Sequence, residues 1–148
     1  MTMPEFVYVI VIAKPPEKVW EGLTTAEFTK KYWHKTEVST DFAIGSPIRF
    51  TTESGEVGAE GEILTANYPA ELSYTWQFPN NPDTSAEAPS RVTFKLEPVP
   101  AGTKLTVIHD QFPEDSKMFG LIEGGWPLVL SGLKTLLESG IAVDFSSE

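Results

Sequence analysis

The chain has 148 residues, 41% of them hydrophobic, enough for a single domain with a substantial core. It carries 11 Lys and Arg against 21 Asp and Glu, a dispersed formal charge of −10; with no basic stripe to displace counterions from phosphates, nucleic acid is excluded as a partner. The absence of cysteine excludes disulfides, thiolate metal sites and a cysteine nucleophile, and no run of about eighteen apolar residues exists to span a membrane.

One domain is expected over 1–148. Its opening residues, Met1-Thr2-Met3-Pro4-Glu5, lack the basic segment of a signal peptide, which with the missing cysteines points to the cytoplasm. Glu5–Ala13 is almost continuously apolar and β-branched, the pattern of a strand covered on both faces. Pro15-Pro16 ends it and suits the first turn of a helix carrying Val19, Trp20 and Leu23. A second short helix is predicted from Thr24, where Thr24 and Glu27 have capping-box spacing, with Phe28, Tyr32 and Trp33 on its apolar face.

The middle of the chain alternates. Ile48 and Phe50 face away from Arg49 and Thr51, and Glu53-Ser54-Gly55-Glu56 forms a turn. Gly58 and Gly61 inside the next strand predict bulges or a close backbone approach. Leu72, Tyr74, Trp76 and Phe78 then share one strand face, as do Val92, Phe94 and Leu96, and Leu105, Val107 and His109. Between them Pro79–Pro89 has no apolar period and reads as a mobile segment. From Ser116 the period becomes helical, with Trp126, Val129, Leu130, Leu133, Leu136 and Leu137 on one stripe. Gly124-Gly125 and Pro127 place the start of that final helix at Trp126, and Gly140 ends it.

An aromatic sheet face opposed by one amphipathic helix predicts a gap where the twisted sheet curves away. The residues expected to line it are Trp33, Phe50, Trp76, Phe94, His109, Trp126, Leu130 and Leu133, with Gly-Trp-Pro bringing Trp126 to the mouth. The competing interpretation is a dry core filled by the same side chains.

Two segments carry a family resemblance. They are Pro15-Pro16-Glu17-Lys18-Val19-Trp20-Glu21-Gly22-Leu23-Thr24-Thr25 with Lys31-Tyr32-Trp33, and the run Lys104–Phe112 leading into Gly124-Gly125-Trp126-Pro127. Over nearly its whole length the chain resembles the single-domain relatives of the activator of heat-shock protein 90 ATPase, in the START/Bet v 1-like (SRPBCC) superfamily. The resemblance implies an α+β helix-grip fold: a curved antiparallel sheet wrapped around a long C-terminal helix, with two short helices after the first strand. The aromatic sheet face opposed by the Trp126 helix points to a hydrophobic or aromatic small-molecule partner, and such domains occur as a monomer or a homodimer. A histidine near this strand end is common in the family, which matches His109.

His109 has three possible roles: a neutral core histidine, a hydrogen-bonding group for a ligand, or a general acid or base. Its neighbour Asp110 faces the other side of the strand, so the two form no dyad. His34 suits the last turn of a helix, against the dipole. Arg49 and Arg91 fall on polar strand faces and suit surface ion pairs, and Gly124-Gly125 is a weak anion nest. Metal-ligand spacing is absent, so neither a metal nor a cofactor is expected. The function expected first is ligand binding with no catalytic residue. A cyclase or dehydratase using His109 with Tyr74 or Tyr8 is the alternative. A chaperone-activating module is a third reading, weakened because the chain starts directly at the helix-grip segment, without the amino-terminal domain of the eukaryotic activators.

Overall fold

The computed structural model describes residues 4–145; Met1, Thr2 and Met3 of the opening segment lie outside the described residues. Seven strands form one antiparallel sheet: β1 (Phe6–Ile12), β2 (Glu37–Ser39), β3 (Pro47–Thr51), β4 (Val57–Asn67), β5 (Glu71–Trp76), β6 (Ser90–Val99) and β7 (Gly102–Asp110). Their order is β1-β7-β6-β5-β4-β3-β2, so the first strand closes against the last and β2 forms the far edge. Helices α1 (Pro16–Thr24) and α2 (Ala26–Tyr32) follow β1, and α3 (Met118–Ser139) comes last. This is the α+β helix-grip arrangement. No helix among the described residues is long and apolar enough to cross a membrane.

Register shifts at Phe50/Thr51 and Ile63/Thr65 let the sheet bend between β3 and β5. Gly61 is required at that bend. A Cβ there would lie 1.8 Å from the Thr75 carbonyl oxygen, so only glycine lets β4 and β5 approach.

Four local expectations are corrected. β1 is an edge strand whose outer face is open, with Val7, Val9 and Val11 exposed; an unbroken apolar run does not reveal whether both faces are covered. The capping box does not form, because Thr24 Oγ1 donates to Trp20 O at 2.7 Å and closes α1 instead, while the cap position of α2 falls to Thr25. Pro79–Pro89 is tied down: Gln77 Nε2 donates to the carbonyls of Ser85 and Glu87, and the Glu87 carboxylate accepts from Ser116 Oγ and Lys117 N–H.

The fourth concerns α3, which runs unbroken for 22 residues through Gly120, Gly124, Gly125 and Pro127. Glycine costs a helix about 1 kcal/mol each relative to alanine. Burial of Met118 and Ile122, which continue the stripe backwards from Trp126 at intervals of four, offsets that cost. At its other end, Gly140 adopts φ 77° and its N–H bonds Leu136 O, ending the helix at the left-handed position expected.

The C-terminal half of α3 is latched to the rest of the molecule. Lys134 Nζ donates to Val11 O, and Glu138 accepts from the Ala13 N–H at 2.7 Å. Leu133 packs on α1 so closely that a Cβ on Gly22 would lie 2.7 Å from its Cδ1.

Candidate functional site

The bend of the sheet and the first half of α3 enclose a pocket of about 300 Å³. Trp33 enters from the end of α2, Phe50 from β3, Trp76 from the end of β5 and Trp126 from α3. Their rings pack together: Trp33 lies 4.5 Å from Phe50, 5.6 Å from Trp126 and 6.1 Å from Trp76, centroid to centroid. Phe78, Ile122 and Val129 add apolar wall, and Thr36, Thr52 and His34 are the polar contributors. Asp, Glu, Lys and Arg are absent from the lining. Exposed Leu121 stands on the rim.

Of the eight predicted lining residues, Trp33, Phe50, Trp76 and Trp126 border the pocket, while Phe94, His109, Leu130 and Leu133 lie in the packed interior, fully buried. Leu130 and Leu133 share the buried stripe of α3 with Trp126, while Phe94 and His109 stand on β6 and β7, strands that contribute nothing to the lining. Trp126 is only 3% exposed, so it forms inner wall and not the mouth. Sequence reasoning missed Leu121 and Ile122, though the Met118–Ile122–Trp126 spacing carries the signal for Ile122. It also missed His34 and the two threonines, which carry none.

His109 is held at both ring nitrogens. Trp126 Nε1–H donates to Nδ1 at 3.0 Å, which makes Nδ1 the acceptor and places the proton of the neutral ring on Nε2. Nε2–H then donates to Ser90 Oγ at 2.7 Å. Phe112 stacks on the ring at 4.7 Å. Burial lowers the pKa of this imidazole from its usual 6.5 to about 3, against a weaker upward pull from Asp110. His109 is therefore a neutral bracket for Trp126, with no free nitrogen for proton transfer. Asp110 faces away and takes a two-point ion pair from Arg91, at 2.9 and 2.8 Å.

The tyrosines of the catalytic alternative do not border the pocket either. Tyr74 is buried behind it, and burial, then Tyr32, pushes its phenol well above the usual range. Tyr8 is half-buried on β1, stacked beside Phe6. Gly124 and Gly125 lie inside α3, so their backbone forms no anion nest. Among the described residues no three metal-ligating side chains cluster.

Comparison with known proteins adds the family. The profile described as Activator of Hsp90 ATPase homolog 1-like protein matches residues 13–138, which takes in both helices after β1, the whole sheet bend and nearly all of α3. The chain belongs to this family. A crystal structure of a Mesorhizobium loti protein is similar at 30% identity and TM-score 0.77, covering 91% of this chain and 97% of its own. The solution structure of an Aha1 dimer from Colwellia psychrerythraea is similar at 25% identity and TM-score 0.76, covering 93% and 98%. An Hsp90 activator from Plasmodium falciparum shares the fold at 21% identity and TM-score 0.72, covering 92% and 96%. Nothing among curated proteins matches.

Proposed function

We propose that this member of the Activator of Hsp90 ATPase homolog 1-like family is a cytoplasmic binder of a neutral, hydrophobic or aromatic small molecule. One observation carries the reading: a pocket walled by Trp33, Phe50, Trp76 and Trp126 with no charged side chain in its lining. Its volume of about 300 Å³ is at the lower end of ordinary ligand sites, about 300–1,000 Å³. A flat two- or three-ring molecule fits those walls, and burial of its apolar surface drives binding. An ion would lose its hydration there without gaining a partner.

Native mass spectrometry of protein purified from its own host tests this by revealing a retained ligand. The companion variant is Gly125→Leu. Gly125 borders the pocket and a Cβ there meets nothing within 4 Å, so the larger side chain occupies pocket space without a clash in the core. An aromatic probe should quench tryptophan emission of the wild type saturably and that of Gly125→Leu at least tenfold more weakly, with melting unchanged or raised. Equal binding by both would reject the site. The occupied nitrogens of His109 speak against the cyclase or dehydratase alternative. The chaperone reading rests on the family name and on relatives described as Aha1 and an Hsp90 activator, and a pull-down with the chaperone tests it. A homodimer like the Colwellia relative is tested by sedimentation.

A further inference from the structure

Two buried side-chain polar atoms, Tyr74 Oη and Trp76 Nε1, have no hydrogen-bond partner among the described residues. Tyr74 does not border the pocket; Trp76 does. The contrast with Trp126, across the same pocket, is informative. The indole N–H of Trp126 is taken up by His109, whose neutral tautomer turns an acceptor toward it. That of Trp76 has no acceptor among the described residues, and its indole is packed among other rings: Phe50 and Phe78 lie edge-on to it at 5.5 and 5.7 Å and Trp33 stacks at 6.1 Å, centroid to centroid. These rings hold the indole in place, and its nitrogen is buried. A buried donor without an acceptor is costly, and native structures keep such groups few.

We propose that Trp76 Nε1–H is the specificity-determining donor of the pocket, and that the ligand is a neutral ring compound carrying an uncharged acceptor such as a ketone or quinone carbonyl. The inference rests on the ligand-binding reading above. An apolar body satisfies the ring walls, and the acceptor enters at the inner end, where Trp76 meets Trp33, Phe50 and Trp126. A carboxylate is the wrong acceptor, because neither Lys nor Arg borders the pocket to neutralise it. Because the nitrogen is buried, reaching it requires the surrounding rings to shift. Trp76 is thus a binding residue and plays no part in bond chemistry.

The test uses two probes of nearly one shape, 1-indanone and indane, which differ by a carbonyl in place of a methylene. In Trp76→Phe the affinity for 1-indanone should fall about tenfold, the scale of a hydrogen bond lost from a buried site, while that for indane stays within about twofold. The wild type supplies a second readout that does not depend on the variant folding. Among its four tryptophans, the indole proton of Trp76 should move downfield with 1-indanone and not with indane, and the bound carbonyl stretch should fall in frequency. Equal losses for the two probes, or a Trp76 proton indifferent to saturating 1-indanone, overturn the donor assignment and leave the pocket reading standing. Failure of both probes to bind overturns the pocket reading, and this inference with it.

Discussion

Along α3, Met118–Trp126 and Pro127–Ser139 use glycine for opposite reasons. In the second half, Gly132 is a packing requirement: a Cβ there would sit 3.0 Å from Tyr32 Cβ and from the Val143 carbonyl oxygen. In the first half, a Cβ on Gly120, Gly124 or Gly125 would meet nothing within 4 Å. The second half also carries Leu133 against α1 and two polar latches, to Val11 of β1 and to Ala13 just after it, whereas the first carries most of the helix's share of the pocket wall. Helical stability is thus concentrated where the helix closes the core and kept low where it borders the pocket. The bond between Trp126 and His109 lies at the junction of the two halves.

A charge placed on each half of α3 should have very different effects. Leu133→Asp puts an unpaired carboxylate at a fully buried point, costing several kcal/mol, comparable to the whole stability of a domain. No cooperative melting transition should remain. Leu121→Asp, on a residue 45% exposed at the rim, should melt within a few degrees of wild type. Similar melting of the two variants would show that the halves do not differ as described.

The junction gives a pH signature. The folded pKa of His109 is about 3 and its ordinary value 6.5, so the unfolded chain takes up the proton first as pH falls. Its contribution is complete above pH 6.5 and is lost toward pH 3, at about 1.4 kcal/mol per pH unit. Asp41 and Glu138 also have lowered values, but their ordinary values of 3.8 and 4.5 place their effects lower. Denaturant titrations between pH 6.5 and 4.5 should therefore show wild-type stability falling more steeply than that of His109→Gln, which keeps an acceptor for Trp126 and a donor for Ser90 without a titrating ring. Parallel slopes would mean that His109 is not held neutral.

The smallest effects come from the glycines themselves. Gly132→Ala should destabilise by about 1–3 kcal/mol, the usual cost of overpacking. Gly124→Ala should stabilise by about 1 kcal/mol through helix propensity alone. Amide exchange sharpens the point: protection over 119–126 should be lower than over 130–139, and Gly124→Ala should narrow the difference. Uniform protection along α3 would remove the distinction.

Much of the fold was legible. Alternation in Leu72–Phe78, Val92–Leu96 and Leu105–His109 identified the inward strand faces, and the Trp126–Leu137 stripe identified the helix that covers them. The site was half legible. Phe50 and Phe94 read alike in their strands, yet one borders the pocket and the other is core, because the strand period fixes the face of a side chain and not its depth.

By itself, the sequence determined the α+β class, the inward faces, the left-handed stop at Gly140 and the lack of cysteine chemistry. These follow from local backbone preference and side-chain periodicity, which act over a few residues. Tertiary structure alone decided that β1 would be an edge with an open valine face, that α3 would run through Gly120, Gly124 and Gly125, and that His109 would be bound at both nitrogens. It also decided which aromatics border open space. Each of these depends on what packs against a residue from a distant part of the chain, and burial there outweighs the roughly 1 kcal/mol of local preference that a sequence displays.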